Sequence, residues 1–212
     1  MARKTRKPSG KAAAGGKTAG DLPIQIIETA MSLAAERGWR RLSLAEIATE
    51  SGQPLSAVYP LFPSKAAILS AFSRRVDGLV LASLEQEPLE GTAKERLFDV
   101  TMRRFDALQP YRAALSRIYA AEACGPVGFV CGTLRLRRTL AGMLEAAGFA
   151  SDGPLGMLRI EGLGAAYLAA LRVWFRDESE DLAATMAALD RALSRLDRLA
   201  RLMERPARRV AA

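Results

Sequence analysis

Histidine is absent from the 212 residues of this chain, and its absence excludes several kinds of site. Without histidine there is no Ser-His-Asp or Cys-His catalytic arrangement, and the common zinc sites are ruled out as well. The glycine patterns of nucleotide-binding loops, GxGxxG and GxxxxGKS or GxxxxGKT, are also missing. We therefore predict that the protein is not an enzyme and has no catalytic residue, no metal and no cofactor.

Cysteines, β-strand signals and long apolar runs are scarce too. Cys124 and Cys131 lie seven residues apart, which is neither a redox nor a metal-binding spacing, and we interpret them as small core residues. No uncharged apolar stretch reaches about 18 residues, so no membrane span is predicted, and the N-terminal residues do not have the pattern of a secretory signal. The clearest strand candidate covers only residues 127–131, and we interpret it as helix or loop. The sequence thus predicts an all-α, cytoplasmic protein.

Positive charge is concentrated at the two ends of the chain, whose net charge is +8. Residues 1–20 hold six lysines and arginines and no acid, while residues 190–212 hold seven arginines against three acids. A basic arm on a nearly neutral body is typical of nucleic-acid binding, less often of membrane-surface contact, and it can also be a solubilising tail. We predict a disordered basic arm over 1–20 and a basic tail over 206–212.

Residues 21–84 have the pattern of a compact group of helices. The first helix begins near Asp21 and ends at Gly38, which suits the position after a helix C-terminus. Ser43 and Glu46 have capping-box spacing and start a second helix that ends at Gly52. A third helix is predicted over 55–61, with Val58 and Leu61 pointing inward, and a long fourth helix over 65–84.

Residues 24–69 resemble the DNA-binding unit of the TetR/AcrR family. The features that match are Gly38, Ser43, Ile47-Ala48, Gly52, Tyr59, Phe62 and Ser64-Lys65. The resemblance implies a helix-turn-helix in which the helix after Gly52 lies in the DNA major groove, and it implies phosphate contacts from Ser43, Tyr59 and Lys65. The residues predicted to bind double-stranded DNA are Ser43, Gln53, Leu55, Ser56, Tyr59, Pro60, Ser64 and Lys65.

The predicted recognition helix departs from the family pattern at its start and near its end. Pro54 and Leu55 stand where a serine cap and a polar residue are usual, and Pro60 replaces a polar or aromatic residue. Because proline lacks an N–H and clashes with the preceding turn, the helix should kink or end near Tyr59. Gln53 and Ser56 are the candidates for base contacts, and phosphate binding should survive this departure better than base recognition.

Residues 85–205 are predicted to form a helical domain for ligand binding and dimerisation, with helices over 93–107, 111–123, 133–147, 155–175 and 180–204. The last helix opens at Ser179 and carries a heptad-like apolar seam that runs from Leu182 to Met203. That seam suits the chain's own core, a subunit interface or a membrane surface. We predict a homodimer that forms through the last two helices.

An apolar effector pocket is predicted in this second domain. Its candidate residues are Phe98, Met102, Phe105, Tyr119, Phe129, Leu140, Met143, Tyr167 and Trp174. Arg103, Arg104 and Arg112 could pair with an acidic ligand, but we expect them to be solvent-exposed. Residues 171–193 resemble the C-terminal part of the ubiquinone-biosynthesis lipid-binding proteins of TetR-like fold, which implies an apolar, isoprenoid-like ligand.

The sequence therefore favours a DNA-binding transcriptional regulator, in the first place a repressor, that responds to an apolar or lipid-like ligand. In that case ligand binding changes the distance between the two helix-turn-helix units of a dimer. The alternative is a lipid-binding accessory protein of the same fold with weak or lost specific DNA binding. Pro54, Leu55 and Pro60 favour the alternative, whereas the Gly52 turn and Ser64-Lys65 favour the regulator.

Overall fold

The computed structural model describes residues 21–123 and 125–210, with side chains through residue 200. This part of the chain contains nine α-helices and no strand, in agreement with the predicted all-α class. The helices are α1 Asp21–Arg37, α2 Leu44–Glu50, α3 Leu55–Val58, α4 Lys65–Gln86, α5 Ala93–Leu108, α6 Arg112–Ala123, α7 Pro126–Ala146, α8 Gly153–Trp174 and α9 Ala183–Val210. Cys124, the predicted arm over 1–20 and the last two residues of the predicted tail lie outside the described residues.

The first four helices form one compact unit whose turns follow the sequence signals. Gly38 ends α1 with φ 84°, and Gly52 follows α2 with φ 69°, a region that disfavours side chains larger than glycine. The Ser43 hydroxyl accepts from the backbone N–H of Glu46, whose carboxylate accepts from the backbone N–H of Ser43, so the predicted capping box is present. Val58 of α3 is completely buried against this unit.

The third helix is shorter than the predicted 55–61. It ends at Val58, and the prediction that Leu61 points inward is wrong, because Leu61 is 43% exposed. The chain continues as a turn in which the N–H of Phe62 donates to the carbonyl of Val58, and Phe62 takes the buried position instead. Pro60 explains the early end, since its ring cannot continue the helix.

Two later helices begin three or more residues away from their predicted starts. α7 begins at Pro126 rather than 133, so residues 127–131 are helical, and Cys131 on α7 is half-buried rather than a full core residue. α9 begins at Ala183 rather than 180, because Leu182 has φ 54° and residues 177–181 form a capping loop. α4 continues to Gln86, two residues beyond the predicted domain boundary.

The first part of the predicted seam, from Leu182 to Leu193, packs into the chain's own core. Leu182, Leu189 and Leu193 are at most 4% exposed, and α9 packs chiefly against α8. The structure therefore decides, for these residues, in favour of the core among the three alternatives, while Met203 lies beyond the described side chains. The centre of this core is aromatic, since the Phe105 ring lies 5.2 Å from Tyr167 and 5.7 Å from Trp174.

Candidate functional site

The exposed face of α3 and its following turn brings together four of the predicted DNA-binding residues. Leu55 is 44% and Tyr59 58% exposed, and Ser56 and Pro60 are also exposed. Gln53 precedes the helix and is half-buried, with its backbone N–H donating to Ala48. This face is mostly apolar, and its one exposed hydroxyl within the helix belongs to Ser56.

The remaining predicted DNA-binding residues have structural partners of their own. Ser43 and Ser64 are the N-caps of α2 and α4, and each accepts a hydrogen bond from a backbone N–H of its helix. The Lys65 ammonium donates to the carbonyl oxygens of Trp39 at 2.8 Å and Leu42 at 2.5 Å. Burial lowers the pKa of Lys65. Its ammonium therefore fixes the start of α4 to the segment between α1 and α2.

We expect Lys65→Met to lower the free energy of unfolding by about 1–3 kcal/mol, because two carbonyls lose a charged donor. Chemical denaturation measures this change. The control is Lys94→Met, since Lys94 forms a single ion pair with the half-exposed Asp190, and surface pairs are worth about 0–1 kcal/mol. Equal stability of the wild type and Lys65→Met would contradict this structural role of the Lys65 ammonium.

A cavity of about 710 Å³ lies in the second domain and is lined mainly by α6, α7 and α8. Four of the predicted ligand-binding residues line it: Tyr119, Phe129, Leu140 and Tyr167. The other five do not: Phe105 and Trp174 belong to the buried aromatic core, Met143 lines a separate cavity of about 200 Å³, and Phe98 and Met102 pack elsewhere against the core.

The cavity wall is more polar than the sequence indicated. Arg104, expected to be solvent-exposed, is only 6% exposed and forms an ion pair with Asp77 on α4. Arg135 forms an ion pair with Glu122 at 2.5 Å. The helical spacing of α5 could have revealed the burial of Arg104. Arg104 lies four residues after Val100 and four before Leu108, and both of these residues are buried on the same face of the helix.

A cluster of polar side chains joins α4, α5 and α7 at the cavity wall. The hydroxyls of Ser73 on α4 and Thr139 on α7 are 3.2 Å apart, and both residues line the cavity. Arg104 on α5 contacts both Ser73 and Asp77, and Thr139 also donates to Asp77. Because α4 starts at the helix-turn-helix and passes this cluster, it connects the DNA-binding unit with the cavity wall.

The other two arginines that could have met an acidic ligand, Arg103 and Arg112, form contacts within the protein instead. Arg112 donates to the backbone carbonyls of Trp174 and Asp177, and its guanidinium lies 5.3 Å from the centre of the Trp174 ring. Arg103 pairs with Asp99, one turn earlier on the same helix, at 3.0 Å. Neither residue lines the cavity, so neither is placed to meet a ligand there.

Comparison with known proteins agrees with this geometry. Residues 26–72, which span α1 to the first part of α4, match the family model of bacterial regulatory proteins of the tetR family. A TetR transcriptional regulator from Nitrosomonas europaea is 27% identical, with a TM-score of 0.68 over 82% of this chain and 97% of that one. The chain has a TetR-type fold. The helix-turn-helix predicted from the sequence resemblance is thereby confirmed.

Two further matches come from Bacillus subtilis. A curated relative, the fatty acid metabolism regulator protein of strain 168, is 30% identical over 86 residues, which are 40% of this chain. That match spans 44% of the relative's own length. The crystal structure of the transcriptional regulator FadR in complex with stearoyl-CoA is 20% identical, covers 81% of this chain and 97% of that chain, and has a TM-score of 0.57.

Two searches of the described residues gave no site of another kind. No group of three or more cysteine, aspartate or glutamate side chains in residues 21–123 and 125–200 is arranged to hold a metal ion. Within the same part of the chain, no helix combines the length and the apolarity that a membrane crossing needs.

Proposed function

We propose that this protein is a DNA-binding transcriptional repressor that releases its operator when a lipid-like ligand occupies the cavity between α6, α7 and α8. The observation that carries the proposal is the course of α4. Its first residue, Lys65, is bonded to the segment before α2, and further along the same helix Ser73 lines the cavity. A ligand that moves Ser73 or Thr139 would therefore move the helix-turn-helix.

The volume and lining of the cavity support a ligand with a long apolar body. About 710 Å³ lies within the range of pockets that hold drug-sized ligands. Its aromatic and aliphatic residues would bury the body, and the Arg135–Glu122 pair would orient a polar end. The FadR complex with stearoyl-CoA offers a precedent for an acyl ligand in this fold. The predicted isoprenoid-like ligand stays a candidate of the same class.

Dimerisation through the last two helices is part of the proposal. The face of α8 that points away from the core carries Leu155 and Leu158, which are 57% and 52% exposed. Ala169 is exposed further along the same helix, and such a small residue allows close approach of another helix. An exposed apolar stripe of this kind is typical of an interface between subunits.

The proposal is tested by binding of the purified protein to the DNA upstream of its own gene and to random DNA over a salt series. We expect one fragment to be bound at a salt concentration that abolishes random binding, and long-chain acyl ligands to release it. Equal and steeply salt-dependent binding to both DNAs would contradict sequence-specific binding. Specific binding that no lipid changes would contradict the effector role alone.

A bulky side chain in the cavity should separate ligand binding from DNA binding. We expect Thr133→Trp, on the cavity wall and exposed, to weaken binding of an acyl ligand by at least about tenfold while DNA affinity stays unchanged. Calorimetry with the ligand and DNA titration measure the two effects. Ala113→Trp is the matched control, since Ala113 is exposed on α6 and does not line the cavity. Unchanged ligand affinity in Thr133→Trp would place the ligand elsewhere.

The apolar face of α3 favours a second candidate, the lipid-binding accessory protein. Leu55 and Tyr59 are exposed where a DNA-binding helix commonly carries polar side chains. Lipid that co-purifies with the protein, together with no affinity for DNA, would support this candidate. Failure to float with anionic vesicles would remove the membrane contact that the basic arm suggests.

A further inference from the structure

The chain carries no charged residue from 51 to 64, the stretch that contains α3 and the turns on both sides of it. A quarter of all residues in the protein are charged, so a neutral stretch of this length at an exposed position is unusual. Leu55, Tyr59 and Leu61 are 44%, 58% and 43% exposed, and Pro60 is exposed beside them. The surface that a helix-turn-helix offers to bases is therefore apolar.

This composition excludes the usual polar contacts of α3 with guanine and cytosine. Guanine is recognised mainly by arginine or lysine and cytosine by aspartate or glutamate, and α3 has none of these. Adenine is recognised by asparagine or glutamine, and the nearby Gln53 precedes the helix and is half-buried. The group that an apolar side chain can recognise in the major groove is the C5-methyl of thymine.

We infer that α3 recognises its operator through thymine methyl groups, which Leu55 and Pro60 contact, with Ser56 as the hydrogen-bonding residue. This inference rests on the proposed DNA-binding function and adds the chemical identity of the bases. Affinity for the duplex comes from exposed cations outside α3. Arg40 and Arg41 are exposed in the segment whose backbone carbonyls accept from Lys65 at the start of α4.

The test removes the methyl groups and nothing else. Duplexes that bind the full-length protein are selected from a random pool, the protected half-sites are mapped, and each thymine in them is replaced by deoxyuridine. We expect the dissociation constant to rise by about fourfold for each contacted methyl, the value for burial of one such group. Replacement of thymines outside the protected half-sites should leave the affinity unchanged.

Two variants assign the effect to α3. Leu55→Ser should lose the preference for thymine at the positions that Leu55 contacts and keep it at those that Pro60 contacts, because one of the two apolar partners is gone. Leu79→Ser, whose residue is 52% exposed on α4, should keep the full preference for thymine. Undiminished binding to the deoxyuridine duplex, or selected half-sites without thymine, would overturn the inference while the proposed function stands. If no duplex is selected over random DNA, the proposed function fails first, and the inference fails with it.

Discussion

Asp77→Ala is expected to lower the free energy of unfolding by about 3 kcal/mol, because it leaves the Arg104 guanidinium buried without its counter-charge. Arg104 is 6% exposed, and its other partners are the hydroxyls of Ser73, 3.4 Å away, and Tyr167. These hydroxyls are uncharged and do not replace the lost carboxylate. Urea denaturation, followed by circular dichroism, measures the loss.

The double variant Asp77→Leu with Arg104→Met is the control for this prediction. It removes both charges and fills their space with apolar groups, so we expect it to recover most of the lost stability. The same double variant should keep DNA affinity but weaken the response to ligand, because the polar cluster that joins α4, α5 and α7 is gone. A loss below about 1 kcal/mol in Asp77→Ala would contradict the buried pair.

Asp177→Ala is expected to lower the free energy of unfolding by about 2–4 kcal/mol, since hydrogen bonds to a buried charge are worth more than neutral ones. The Asp177 carboxylate accepts from the backbone N–H and the hydroxyl of both Ser179 and Thr185. Asp177 thereby holds the loop before α9 in place, and it is 5% exposed. Thermal unfolding of the variant and of Glu180→Gln, an exposed neighbour, measures the difference.

The same carboxylate makes stability depend on pH. The hydroxyl of Ser179, followed by the donors of Thr185, lowers the pKa of Asp177 below the ordinary value of 3.8. The folded state therefore holds the proton less tightly than the unfolded state does, and the stabilisation is complete above pH of about 4 and lost as the pH falls further. The gap in stability between wild type and Asp177→Asn should shrink between neutral pH and about pH 3. A constant gap would contradict this role.

The local signals of the sequence predicted the DNA-binding unit well. Gly38, Gly52 and the Ser43–Glu46 capping box act within a few residues of themselves, and the structure confirms all three. Pro60 predicted an end near Tyr59, and α3 does end there. The prediction that Leu61 is buried was wrong because it extended the helical spacing of α3 past Pro60, which ends the helix.

Features that depend on distant parts of the chain were harder to predict. The burial of Arg104 depends on α4 and α7, which supply Asp77 and Thr139 from far away in the sequence. The late start of α9 depends on Asp177, whose donors lie on both sides of the helix start. Apolar spacing alone did not separate the cavity wall from the aromatic core, because Tyr167 belongs to both.

The brevity of α3 limits how much sequence one subunit can distinguish. Its four residues rise by about 6 Å, roughly the height of two stacked base pairs. A given sequence of two base pairs occurs by chance about once in 16 positions, so in the proposed dimer selectivity would come from the spacing of paired half-sites and from the shape of the DNA between them. We therefore expect the operators to be defined more by their symmetry and flexibility than by a long specific base sequence.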